Sequence, residues 1–155
     1  MAIRRRTDPD EGDQALRDWD ADPAAARRAI LGPAVRHTLE LIAEEHPGHA
    51  VELRVPPYGA VQALPGVRHT RGTPPAVVET DAATWLALAV GDLSWTDARA
   101  SGRISASGER SDLSEILPLP GPRRIIRAAR AARESAGEQQ GAGGTGAQSS
   151  AGAAS

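Results

Sequence analysis

The stretch that decides the fold is residues 79–117, which read ETDAATWLALAVGDLSWTDARASGRISASGERSDLSEIL. Asp81 and Ser94 each precede apolar residues at helical spacing, and both are residue types that cap helix N-termini. Ser94 is also followed three residues later by Asp97, the spacing of a capping box. The stretch therefore predicts two short helices, the first of which ends at Gly91, because glycine commonly follows the last residue of a helix.

In the second half of the same stretch, the spacing of the apolar residues changes from helical to alternating. Residues 103–107 alternate Ile104 and Ala106 with polar neighbours, the pattern of a strand that faces a core on one side. Gly108 then turns the chain, and residues 112–117 predict a last short helix.

The chain before this stretch predicts further helices and strands. Residues 24–31 form a short helix, and a second, longer helix restarts at Pro33, because proline is favoured at the first helical position. Residues 51–55 alternate strictly as a half-buried strand, residues 58–64 form its partner, and residues 76–79 form another brief strand.

Length and composition indicate one folded domain with tails in a chain of 155 residues. Charged or Gly/Ala/Ser-rich composition marks the ends. We expect a poorly ordered segment over residues 1–21, the folded domain over 22–118, a proline break with an arginine-rich helix over 119–136, and a disordered tail over 137–155.

Composition also excludes several classes of function. Three Trp, one Tyr, no Phe and a net charge of −2 disfavour nucleic-acid binding, which uses stacking platforms and basic surfaces. The absence of Cys excludes thiolate chemistry and disulfides. No signal peptide or membrane span is visible, so we expect a cytoplasmic protein.

No motif predicts catalysis, a metal or a cofactor. The four histidines, His37, His46, His49 and His69, lack the spacing of a metal site. Residues 141–146 match the dinucleotide pattern GxGxxG, but no strand precedes them and no helix follows. We therefore expect no catalytic residue, no metal and no cofactor, and a binding module rather than an enzyme.

Residues 79–117 resemble the closing half of the sterol carrier protein type two domain, in its short actinobacterial version. That domain has an acidic helix cap, two small helices that each end in Gly, an alternating strand that ends in Gly, and a last helix. The matching positions are Asp81, Trp85, Leu88, Gly91, Leu93, Ala98, Gly102, Ile104, Ala106, Gly108, Leu113 and Leu117. The upstream order of helix and strands is compatible with it.

The resemblance implies an α+β fold: a mostly antiparallel five-stranded sheet covered by helices, with an apolar cavity between the layers. It implies non-catalytic binding of a lipid, sterol or acyl chain. The pocket it implies is lined by Leu53, Val61, Val78, Trp85, Leu88, Leu93, Trp95, Ile104, Leu113 and Leu117. The arginine-rich segment that follows adds at most weak contact with a membrane surface.

Two alternatives remain open. In the first, the core is closed and the domain binds a protein or an anionic metabolite through a polar rim made of Arg54, Tyr58, Arg68, His69 and Arg71. In the second, the chain is an accessory domain of a mycothiol-dependent maleylpyruvate isomerase-like enzyme, in which a metal-binding helical part precedes a related domain. Only about thirty residues precede the second predicted helix here, which weakens the transfer of isomerase activity.

Overall fold

The computed structural model describes residues 4–66 and 74–142. Within them the chain forms helices and strands in mixed order. They are α1 (Pro9–Ala21), α2 (Arg28–Glu45), β1 (Val51–Val55), β2 (Gly59–Ala63), β3 (Ala76–Thr80), α3 (Ala82–Val90), α4 (Trp95–Ala100), β4 (Ile104–Ser107) and α5 (Pro120–Ala142). The predicted α+β class is confirmed.

The sheet is four-stranded and mixed in the described part of the chain, with the order β2-β1-β3-β4. β1 pairs with β2 and β3 pairs with β4 antiparallel, but β1 and β3 are parallel. The expectation of five mostly antiparallel strands is therefore wrong. β2 takes one edge of β1 as a hairpin partner, and β3 joins the other edge. The twelve residues between β2 and β3, 64–75, are enough for the chain to return and run in the same direction as β1.

Helices cover one face of the sheet. Val51, Leu53 and Val55 point towards them and are each at most 1% exposed. Glu52 and Arg54, between these residues in β1, lie on the opposite face, where Arg54 Nε donates a hydrogen bond to Glu52 Oε1 at 2.8 Å. The strict alternation in the sequence thus separates a core face from a polar face, as predicted.

α2 is one continuous helix that passes through Pro33, so the predicted break between two helices is wrong. A proline inside a helix removes a hydrogen bond and costs about 3 kcal/mol. Burial of the apolar face of α2 offsets this cost in free energy, because Ala34, Val35 and Ile42 on that face are fully buried.

α1 occupies a segment that the sequence predicts to be poorly ordered, and that prediction is wrong for Pro9–Ala21. Asp8 caps the helix by accepting the backbone N–H groups of Asp10 and Glu11. Leu16 and Trp19 are 0% and 4% exposed, which shows that α1 is part of the folded unit.

The contact between α1 and α2 is close and polar as well as apolar. A Cβ atom at Gly12 would collide with the imidazole ring of His37, so a glycine is needed there. His37 Nε2 lies 2.9 Å from a carboxylate oxygen of Asp13. Glu40 is buried, and its carboxylate accepts the backbone N–H groups of Arg6 and Thr7 at 3.0 and 3.2 Å.

The C-terminal part also differs from the sequence prediction. Residues 112–117 form no helix, and residues 114–116 form a turn, because Pro118 disfavours the helical conformation at the residue before it. In the segment 119–136, predicted as a proline break with an arginine-rich helix, the helix α5 already begins at Pro120, and it continues to Ala142. The rest of the predicted tail, residues 143–155, lies outside the described residues.

We predict that Leu16→Ala lowers the free energy of unfolding by about 2–5 kcal/mol, the usual cost of truncating a fully buried leucine. Urea unfolding followed by circular dichroism measures the change. Arg17→Ala, on the exposed side of the same helix, is the control and should change stability by less than about 0.5 kcal/mol. Equal effects of the two substitutions would show that α1 does not dock as described.

Candidate functional site

The ten residues predicted to line a lipid pocket all belong to one hydrophobic cluster or pack against it. Seven are buried: Leu53, Val78, Trp85, Leu88, Trp95, Ile104 and Leu113. The other three, Val61, Leu93 and Leu117, are partly buried at its margin. The structure therefore brings the predicted residues together, in two groups that differ in accessibility.

The deepest residues of this set are in close contact with the protein around them. Leu53, Val78 and Trp85 are each 1% exposed. A cavity that admitted even a water molecule would leave accessible surface on the side chains that line it. These three side chains consequently face packed protein.

Trp85 is the largest fully buried side chain, and it fills the space between α3 and α2. Its indole Nε1–H donates a hydrogen bond to Thr38 Oγ1 at 2.8 Å. The Thr38 hydroxyl lies 2.9 and 3.0 Å from the carbonyl oxygens of Ala34 and Val35, to which it donates. The one polar group of the indole is thereby satisfied inside the core.

An open cleft of about 270 Å³ lies beside this core, between the end of α3, the start of α4 and the start of α5. We call it the α3–α5 cleft. Its lining combines apolar and polar side chains and consists of Gly91, Leu93, Ser94, Trp95, Thr96, Ser114, Leu117, Pro118 and Arg123. Three of the ten predicted pocket residues, Leu93, Trp95 and Leu117, thus share an apolar surface that a ligand can reach directly.

Local sequence signals position two walls of the α3–α5 cleft. Gly91 ends α3 in the left-handed conformation, with φ of 90°, as predicted. A Cβ atom at this position would lie 3.1 Å from Pro118, so the glycine also permits the close approach of the opposite wall. Ser94 caps α4 by accepting the backbone N–H of Asp97 at 3.0 Å, which confirms the predicted cap.

A basic groove adjoins the α3–α5 cleft. Pro118 and Arg123 line both, and the groove adds Arg124 and Arg127. The three arginines are exposed, and none forms an ion pair with another of the residues that the structure describes. The α3–α5 cleft therefore has positively charged side chains on the side of α5.

The other two arginines of α5 hold the helix in place. Arg130 Nε donates to Asp20 of α1 at 2.9 Å, and Arg130 Nη1 donates to Asp92, after α3, at 2.9 Å. Arg133 donates to the second carboxylate oxygen of Asp20, whose side chain is 1% exposed. These contacts tie α5 to α1 and to the end of α3, and so fix one wall of the cleft.

Burial alone would raise the pKa of the Asp20 carboxyl, but hydrogen bonds from Arg130 and Arg133 hold the pKa below its ordinary value. A carboxyl whose pKa is lowered by folding stabilises the fold above its unfolded pKa of about 4. That contribution is lost as pH falls through the lower, folded-state pKa.

We predict that Asp20→Asn lowers the free energy of unfolding at pH 7 by about 1–3 kcal/mol, the range for hydrogen bonds to charged groups. The difference from the unsubstituted protein should shrink as pH falls from about 4 towards the lower folded-state pKa, because the unfolded chain takes up the proton first and the folded carboxyl loses its charge only at that lower pH. Denaturant titrations at several pH values measure it. Asp18→Asn, exposed on the same helix, is the control, and a difference independent of pH would contradict the assignment.

The predicted polar rim is only partly described, since Arg68, His69 and Arg71 lie outside the described residues. Arg54 lies on the uncovered face of the sheet and pairs with Glu52. Tyr58 instead packs against the core on the side of the helices. The structure therefore does not bring Arg54 and Tyr58 to one site.

Tyr58 lines a different cleft, of about 510 Å³, between α2 and the turn from β1 to β2. We call it the α2–β1 cleft. Its lining residues are Arg28, Ala29, Gly32, Pro33, Arg36, Pro57 and Tyr58. Sequence reasoning missed it, although Arg28 and Arg36 are eight residues apart and so lie near the same side of one helix.

The described residues contain no group of three or more His, Asp or Glu side chains placed to hold a metal ion. His49 lies instead beside Gln62, to whose side-chain oxygen its ring nitrogen is hydrogen-bonded. Among the helices of the described chain, none combines the length and apolarity needed to cross a bilayer.

A family model described as bacterial SCP ortholog, in which SCP denotes sterol carrier protein, matches residues 27–119. The match covers more than half of the 155 residues and includes α2 to α4, the described sheet and most of the α3–α5 cleft. α1 and α5 lie outside it. No curated protein matches the chain.

Proposed function

The chain belongs to the bacterial sterol carrier protein ortholog family, and on this premise we propose that it binds a lipid, sterol or acyl chain without transforming it chemically. The observation that carries the proposal is the family match, because it spans the sheet and the helices that cover it. Such binding needs apolar surface and exclusion of water rather than a reactive residue, since each Å² of buried apolar area contributes about 25 cal/mol.

We place the bound chain in the α3–α5 cleft. Leu93, Trp95 and Leu117 offer apolar surface there without any rearrangement. Binding against Leu53 or Trp85 would first separate close-packed side chains, and the loss of those contacts would oppose binding. Binding in the α3–α5 cleft therefore costs less free energy than binding in the packed core.

The rim of the cleft suits a ligand with one polar end. Arg123 stands between the apolar lining and the adjoining basic groove. A guanidinium has five N–H donors and can hold a polar head group at the surface while the chain lies against Leu93 and Leu117. The arrangement orients the ligand with its polar end towards α5.

We predict that the purified full chain, once stripped of lipid, binds a fluorescent fatty acid such as anthroyloxy-palmitate, with energy transfer from tryptophan to the probe. Trp95 lines the cleft, whereas Trp19 lies on α1 and Trp85 in the core. Trp95→Phe should reduce the transfer more than Trp19→Phe, the matched control, because transfer falls steeply with the distance between tryptophan and probe.

Leu93→Ser should weaken binding of the probe by about 10-fold or more, since burying a leucine contributes about 1.5–3 kcal/mol. Native mass spectrometry of the unstripped protein tests for a co-purifying lipid. Energy transfer that Trp95→Phe reduces no more than Trp19→Phe does, or binding that Leu93→Ser leaves unchanged, would move the ligand away from the cleft. Failure to bind fatty acids, sterols and phospholipids alike would refute the carrier proposal while leaving the fold intact.

A further inference from the structure

The α2–β1 cleft shares no lining residue with the α3–α5 cleft. Its volume of about 510 Å³ is that of a small-molecule site, for which 300–1,000 Å³ is typical. Its lining contains two arginines and a tyrosine but no carboxylate. The cleft is therefore a separate site of positive charge on a chain whose net charge is −2.

Among the residues that the structure describes, the polar side chains of this cleft take no part in holding the fold together. Arg5, Arg54 and Arg130 are each held by a carboxylate. By contrast, the side chains of Arg28 and Arg36 have no hydrogen bond or ion pair to any other residue within the described ranges, and the Tyr58 hydroxyl has none either. Two guanidinium groups and a phenol are consequently available to a ligand.

The floor of the cleft is built from two residues that a helix interior disfavours. Gly32 and Pro33 lie inside α2, where glycine costs about 1 kcal/mol and proline about 3 kcal/mol relative to alanine. Gly32 leaves room for the Arg36 guanidinium, because a Cβ atom there would lie 3.0 Å from Arg36 Nη1. Pro33 has no N–H to donate to the carbonyl of Ala29, which also lines the cleft.

Arg28 and Arg36 line the same cleft, although they lie about two turns apart on α2. Eight residues separate Arg28 from Arg36, a rise of about 12 Å along the axis. Both long side chains line the same cleft, and Pro33, Pro57 and Tyr58 supply apolar surface between and opposite them. The two guanidinium charges complement a ligand with two negative charges, and the apolar walls can contact an organic group attached to it.

We propose that the α2–β1 cleft binds a small organic phosphate, with Arg28 and Arg36 donating to the phosphate oxygens and Tyr58 and the prolines contacting the organic part. A phosphate monoester carries close to two negative charges at neutral pH, and arginine donates to phosphate in bidentate geometry. This site is independent of lipid binding.

Tyr58 is the only tyrosine of the chain, so its ring signals in an NMR spectrum report on the cleft. Titration of the full chain with phenyl phosphate should shift these signals with a dissociation constant below about 1 mM. Arg28→Gln and Arg36→Gln should each weaken binding by 10-fold or more, the loss expected for a charge-assisted hydrogen bond. Arg103→Gln, at an exposed position outside the cleft, is the matched control and should leave binding unchanged.

Phenol, benzoate and inorganic phosphate separate the contributions to binding. We expect inorganic phosphate to bind more weakly than phenyl phosphate and therefore to compete with it only at higher concentration. We expect phenol to shift the Tyr58 signals little. No shift with phenyl phosphate at 10 mM, or equal weakening by Arg103→Gln, would overturn the site. Benzoate binding as tightly as phenyl phosphate would overturn the assignment to phosphates.

Discussion

The hydrogen bond from the Trp85 indole to Thr38 fixes how the covering helices lie on the sheet. It joins α3 to α2 in a region without solvent, where an unpaired indole N–H would cost about 1–3 kcal/mol. α2 and α3 therefore hold a defined spacing over Leu53 and Val78 of the sheet. Both clefts depend on this spacing, because α2 supplies most of the wall of one and the end of α3 supplies part of the other.

The parts of the fold that the sequence predicts correctly depend on neighbouring residues. The alternation in Val51–Val55 specifies a half-buried strand without reference to the rest of the chain. The caps at Asp81 and Ser94 and the glycine after α3 each act within one helical turn. The family resemblance of residues 79–117 consists largely of such local signals, so it can be seen in the sequence alone. The family match over residues 27–119 confirms it.

The errors arise where distant residues outweigh local preference. β3 pairs with the free edge of β1 in parallel orientation, and no pattern within either strand encodes that edge or that direction. The helix through Pro33 persists because α2 buries its neighbours on both sides, and α1 forms because Leu16 and Trp19 find a surface on the rest of the chain. For the candidate site, the predicted residues cluster as expected, but sequence could not distinguish which of them are packed tightly and which line an open cleft.

The contact of α5 with Asp20 joins helices that are more than a hundred residues apart in the chain. α1 and α5 both lie outside the family match. α1 packs on α2 and α5 packs on α3, and the ion pairs of Asp20 with two arginines join α1 to α5. Such a pair of terminal helices can open together in a sub-global unfolding event that leaves the sheet protected. Amide hydrogens of α1 and α5 would then exchange with solvent at one shared rate, and the shape of the α3–α5 cleft would vary on that timescale.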